Sequence, residues 1–291
     1  MDNNYTELFT SGCSFLERSY DFERESKRKN KLSKVTVQES LDEKYSFPSF
    51  LSTKLNLPLI NRAKAGHSNR YIIRSTGEYL MKKDPSQPSL AVIALTELTR
   101  TEIPVLNTDK YHPISATDYH FFRPSYKDKI SDYVTPSKLK SVLNDYYKYL
   151  YNDATEINHL VQQLNMLSGL ARITNTRLIV FSSFLYKNDP ILKGIISKKL
   201  LVHGNKFEFF NFGYDKSIIK TWVDFIHSYE PLHTGGHPYA YDCNILANMM
   251  VKQIKDNKIN PIPIKPTQYT SGFDYKNPKV KDPVHKKPKI L

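Results

Sequence analysis

Residues 90–95 (LAVIAL) form an aliphatic run with no polar position and no turn residue. Six residues fall far short of the roughly 20 needed to cross a bilayer, and a strand with one wet face would alternate polar and apolar. A short run that is apolar on both faces predicts a strand inside a parallel sheet, covered by helices on each side. Residues 6–11 (TELFTS), 58–63 (PLINRA) and 177–183 (RLIVFSS) have the same character, and residues 206–212 (KFEFFNF) supply a fifth, less regular strand.

Helical spacing fills the intervals. In residues 46–56 (SFPSFLSTKLN), Phe47, Phe50, Leu51 and Leu55 recur on one helical face, and residues 68–83 carry a second such pattern after a glycine. A longer candidate starts with Thr135 as N-cap and Pro136 at the first helical position, then runs toward Asn175 with a re-cap at residues 153–156. Its tyrosines, Tyr146, Tyr147, Tyr149 and Tyr151, read as packing surface rather than as a binding stripe. Residues 217–228 and 241–255 complete the set. This alternation predicts an α/β fold, a three-layer α/β/α sandwich around a mostly parallel five-stranded sheet with right-handed crossovers. The expected domain spans residues 1–256.

Two stretches depart from that pattern. Residues 101–134 contain prolines, show no clear periodicity and gather Tyr111, His112, Tyr119, His120, Phe121 and Phe122. So long a loop in a compact domain is expected to be a lid over the sheet's C-terminal edge or a plain surface excursion. Residues 257–291 hold six prolines, eight lysines and two aspartates, which predicts a basic, flexible tail.

The charge is equally uneven. The 291-residue chain carries a formal net charge of +13. The tail, together with residues 24–34 and their six basic side chains against Glu25, holds nearly all of it. Both runs read as solvated surface or as a contact for a polyanion, nucleic acid included, or for a protein partner. No zinc-finger spacing, RNP motif or helix-turn-helix pattern supports sequence-specific reading of nucleic acid. Cys13 and Cys243 exclude a disulfide framework and a four-cysteine zinc site, and fit a reducing compartment. Residues 1–7 are polar and lack the basic and apolar regions of a secretory signal, so neither a signal peptide nor a membrane span is expected.

In an open parallel sheet, ligands bind at the carboxyl ends of the strands. The first strand is followed by Gly12-Cys13-Ser14-Phe15, and the second runs into Asn61-Arg62-Ala63-Lys64-Ala65-Gly66-His67-Ser68-Asn69. Just before the last helix lies His233-Thr234-Gly235-Gly236-His237-Pro238. These three blocks, in this order and in these strand contexts, resemble those of the SGNH (GDSL-like) hydrolase family over roughly residues 6–251. The stretch LTELTR after the third strand is similar to SGNH-like proteins of tailed bacteriophages.

The resemblance implies a flavodoxin-like sheet and a serine esterase. Ser14 stands at the nucleophile's position, with Cys13 where many members have Asp, and His237 stands at the catalytic histidine's position. A serine hydroxyl is a poor nucleophile near neutral pH, so a neutral imidazole must take its proton as it attacks. The backbone amides of Ser14 and Gly66 are the candidate oxyanion donors, and a glycine permits the close approach and unusual dihedrals that role asks for. The family's range implies an ester substrate, such as an O-acyl group on a carbohydrate, with no cofactor and no metal. With no signal peptide and a likeness to bacteriophage proteins, the expected location is a bacterial cytoplasm or a phage virion.

Two family positions are not met. The third block normally supplies an asparagine donor, whereas this chain has Leu95-Thr96-Glu97-Leu98-Thr99-Arg100, leaving Thr96 or Arg100 as accessory donors. Thr234 occupies the place of the Asp that orients the histidine, so a carbonyl, Thr234 itself, Glu230 or Asp242 must do that work. These departures support an alternative, a catalytically weak or inactive scaffold with a binding or structural role. A nucleic-acid-associated protein driven by the basic segments is a third reading. Simpler roles also exist: Ser14 as a helix N-cap, His237 as a loop histidine, Gly66 as a turn residue and Cys13 as packing. His233 and His237 stand four apart like metal ligands, but Gly235-Gly236 opposes the helix that would align them.

Overall fold

The computed structural model describes residues 5–17, 19–20, 41–104, 111–115, 141, 145–183, 208–210, 212, 221–227 and 238–256. Five strands form the central sheet: β1 (Leu8–Ser11), β4 (Leu59–Asn61), β5 (Ser89–Leu95), β8 (Thr176–Ser182) and β9 (Glu208–Phe210). Their order is β4-β1-β5-β8-β9, and every neighbouring pair is parallel. In chain order that is 2-1-3-4-5, the flavodoxin-like doubly wound arrangement. The expected fold class is therefore the one observed. Among the described residues, two small antiparallel ribbons stand apart, β2 (Ser19–Tyr20) with β3 (Leu41–Asp42), and β6 (Arg100–Pro104) with β7 (Tyr111–Ser115).

Side chains alternate across the sheet as a period of two requires. Leu8, Leu90, Val92, Ala94, Ile179, Phe181 and Phe210 enter one core layer, while Phe9, Ala91, Ile93, Leu95, Leu178, Val180 and Phe209 enter the other. The first layer is closed by α1 (Ser14–Glu17), α2 (Phe47–Leu55), α5 (Trp222–His227) and α6 (Ala240–Asp256). The second is closed by α3 (Asn69–Lys82) and α4 (Asp153–Ile173). Trp222, the single tryptophan, is fully buried against the rings of Phe15, Phe47 and Phe181, so α1 rests on the main core.

The helix ends follow local chemistry. Ser46 and Ser68 cap α2 and α3 by accepting from Ser49 N–H and Tyr71 N–H. Asn56 closes α2 in the left-handed region, at φ 54°. The re-cap expected at residues 153–156 is present: Asn152, extended at φ −141°, accepts from Thr155 N–H and starts α4. Ahead of it, residues 146–150 form one π turn, and its Tyr146 and Tyr147 pack on each other and on the capping Tyr151. Thr135 and Pro136 lie outside the described residues.

One expectation needs correction. Residues 101–134 were expected to lack regular structure, but they open on the β6–β7 ribbon, with Thr101 opposite Ile114 and Glu102 opposite Pro113. Pro104 and Pro113 hide the strands from a propensity reading, and a two-stranded ribbon tolerates proline because each strand is an edge. Buried Glu102 accepts a 2.7 Å ion pair from Arg74, tying the ribbon to α3. Residues 105–110 and 116–134, the basic run at 24–34 and the tail at 257–291 lie outside the described residues. Among the described residues, no helix is long and apolar enough to cross a membrane.

Candidate active site

In a 2-1-3-4-5 sheet, the first crossover runs from β1 to β4 and the next returns past β1 to β5, so a crevice opens between the carboxyl ends of β1 and β5. Gly12-Cys13-Ser14 leaves β1 at that switch point. Gly12 is tightly packed: a Cβ there would lie 3.0 Å from Leu16 Cδ2 and 3.3 Å from Ala94 Cβ, so these neighbours would have to give by a few tenths of an ångström. The absence of that Cβ lets α1 turn tightly off the sheet. Ser14 heads α1 and is partly exposed, whereas Cys13 is wholly buried in the core as a packing residue. Cys243 is also buried, and neither thiol is in a disulfide.

Gly66 comes to the same edge through a braced loop. Arg62 N–H donates to Thr10 carbonyl and Lys64 N–H to Gly12 carbonyl, at 2.8 and 3.1 Å, extending the β1–β4 pairing past the strand ends. The Asn61 side chain accepts from Thr10 Oγ1 and from Ala63 N–H, and donates to Leu16 carbonyl at 3.2 Å. Glu17, at the end of α1, accepts Ala65 N–H at 2.9 Å. The turn then closes through His67 N–H on Lys64 carbonyl at 3.3 Å, with Gly66 at φ 78°. That dihedral is strained for any residue with a Cβ. Ser14 and Gly66 thus belong to two pieces of chain joined directly by Glu17, Asn61 and Gly12.

His67 leans over this turn. Its Nδ1 lies 3.1 Å from Ala65 carbonyl, and its ring meets Tyr71 edge-on at 4.2 Å. Burial pushes its pKa below the ordinary histidine value; Lys64, Arg74 and Arg100 push the same way, and the Ala65 carbonyl opposes them.

At the end of β5, Thr96 is fully buried and its Oγ1 has no hydrogen-bond partner among the described residues. Its backbone is held on both sides by Asn69, whose Oδ1 accepts Thr96 N–H at 2.8 Å and whose Nδ2 donates to Thr96 carbonyl at 3.0 Å. Asn69 ends the second block quoted above, but the sequence reading gave it no role. Its signal was slight, an asparagine directly after the capping Ser68 in the first turn of a helix whose apolar face is already filled. Glu97 is buried but paired with Arg100, Nε to Oε2 at 3.5 Å, so its charge is countered within its own loop. Arg100 opens β6 and lines a pocket of about 210 Å³ with Arg70, Glu156 and His159 between α3 and α4. Neither Ser14 nor Gly66 lines that pocket.

His237, Thr234, His233 and Glu230 lie outside the described residues. Pro238 and Tyr239 lead into α6, where Tyr239 N–H donates to buried Asp242 at 2.8 Å. Asp242 thus serves the first turn of α6 with one of its oxygens.

No protein-family model and no curated protein sequence matches this chain. Among solved structures the chain is similar to TesA, at 12% identity over 86% of this chain and 99% of that one, with a TM-score of 0.48. It is similar to the psychrotrophic esterase EstA from Pseudoalteromonas sp., at 10% identity over 86% and 97% of the two chains, with a TM-score of 0.45. It is also similar to a family two carbohydrate esterase from Clostridium thermocellum, at 14% identity over 87% and 64%, with a TM-score of 0.45.

Proposed function

We propose that this chain is a serine ester hydrolase of the SGNH type, with Ser14 as nucleophile and His237 as general base. The observation that carries the reading is the joining of two blocks at the switch point. A partly exposed serine heads the turn after β1, hydrogen-bonded through its own helix to a loop that presents Gly66 at positive φ. In this reading Ser14 Oγ attacks the ester carbonyl carbon while the His237 imidazole accepts the hydroxyl proton. The carbonyl π electrons move to oxygen, and the backbone N–H groups of Ser14 and Gly66 hold the resulting oxyanion, with the Thr96 hydroxyl as accessory donor. Collapse expels the alcohol, which takes the proton from the imidazolium. Water, deprotonated by the same imidazole, then releases the acid from Ser14. No cofactor or metal enters these steps. The substrate class we assign is a small ester, an O-acylated carbohydrate being the family's implication.

The test is Ser14→Ala. Turnover of short-chain aryl esters should fall to background while the thermal midpoint stays within about a degree. A wild-type protein that hydrolyses these esters and a mutant that equals it would sink the assignment.

A further inference from the structure

We propose that His67 is a positioning residue that aims the Gly66 N–H by holding the Ala65 carbonyl. This rests on the hydrolase reading for its kinetic consequence and on the geometry alone for its structural one. Ala65 C=O and Gly66 N–H belong to one peptide group, which is planar and trans, so the two bonds point in opposite directions. Whatever fixes the carbonyl fixes the amide.

The carbonyl end is gripped by the imidazole, Nδ1 to oxygen at 3.1 Å. A carbonyl accepts only, so Nδ1 carries the proton and the neutral ring leaves Nε2 as its lone-pair nitrogen. The ring itself is held by its 4.2 Å edge contact with Tyr71, whose hydroxyl donates to Arg62 carbonyl at 2.9 Å. The preceding peptide is fixed as well, because Ala65 N–H donates to Glu17 of the nucleophile's helix at 2.9 Å. Both peptide planes that flank Ala65 are therefore tied, one to α1 and one to His67. At Gly66 the backbone has glycine's freedom, with φ at 78°, so without such a tie the peptide plane could rotate. Donation into the carbonyl also polarises the peptide and strengthens its N–H as a donor. The Gly66 amide is then directed away from the imidazole and pre-aimed, with no reorganisation left for the moment of reaction.

The experiment compares His67→Phe, which keeps the ring and its Tyr71 contact but loses the donor, with His67→Asn, whose Nδ2 can reach the place of Nδ1. With short-chain aryl esters, His67→Phe should lower kcat at least about tenfold with KM within about twofold, a fraction of the roughly 10²–10³ lost when an oxyanion donor is removed outright. His67→Asn should recover kcat to within about threefold of wild type. In parallel, ¹⁵N–¹H spectra should place the His67 proton on Nδ1, and the Gly66 amide resonance should move in His67→Phe and stay near its wild-type position in His67→Asn. An unchanged kcat in an active enzyme, or an equal loss in both variants, overturns the proposal. If wild type is inert toward esters, the spectra still decide: a Gly66 resonance that moves only in His67→Phe upholds the brace and discards the hydrolase, whereas one indifferent to both variants discards the brace.

Discussion

Gly66 and His67 show how a single dihedral or a single proton governs this edge of the sheet. Gly66→Ala puts a Cβ on a residue at φ 78°, a conformation that costs an L-residue about 1–2 kcal/mol. The expected result is a loss of that size in denaturant unfolding, with a kcat deficit well beyond it if the turn presents an oxyanion donor. His67 carries a pH signature of its own. Its folded pKa is depressed, chiefly by burial, so between the folded and unfolded values the unfolded chain binds more protons and stability falls as the pH drops. The contribution is fully present above the unfolded value of about 6.5 and is lost as pH falls through the lower folded one. His67→Asn removes it. Thermal midpoints measured from pH 7.5 to pH 5 should therefore shift progressively in favour of the variant, and parallel curves would contradict the burial argument.

At the scale of elements, the edge strand β9 is only three residues long and is held from outside its ladder. Arg177 of β8 grips Glu208 with two bonds, at 2.8 and 2.9 Å, and Gln253 of α6 donates to the same carboxylate at 2.6 Å. Arg177→Ala would leave a largely buried carboxylate with Gln253 as its neutral partner, and breaking such a pair costs about 3–5 kcal/mol. Equilibrium unfolding should show most of that loss, and amide exchange should accelerate first in residues 208–210. Core helices were legible because caps and apolar spacing act within a few residues: Ser46, Ser68 and the break at Asn152 all stand where the local pattern puts them. The β6–β7 ribbon was not legible, because its register pairs residues from Pro104 with Tyr111 out to Arg100 with Ser115, and its prolines suppress the strand signal.

For the whole molecule, the basic tail poses the remaining test. If residues 257–291 form a solvated arm, as their composition implies, deleting them should leave the thermal midpoint nearly unchanged and reduce retention on a polyanion matrix. Trp222 makes the first half direct, since the one tryptophan sits fully buried in the main core and its fluorescence reports that core alone. A fall of many degrees would mean that the tail packs on the domain.

The amino-acid sequence by itself determined the number and place of the central strands, the helices between them and the two core faces. The strands are written in short runs that are apolar on both faces, the helices in a period of 3.6 residues and their ends in caps, all of which a local segment decides alone. It also marked Ser14 and Gly66 by their position after strands. Only the tertiary structure decided what meets at the switch point, because the deciding bonds join residues without local pattern: Asn69 to Thr96 across 27 positions, Glu17 to Ala65 across 48, and Asn61 to Leu16 across 45. A hydrogen bond between distant residues leaves no periodicity behind, and its partners take shape when the 2-1-3-4-5 winding sets β1 between β4 and β5.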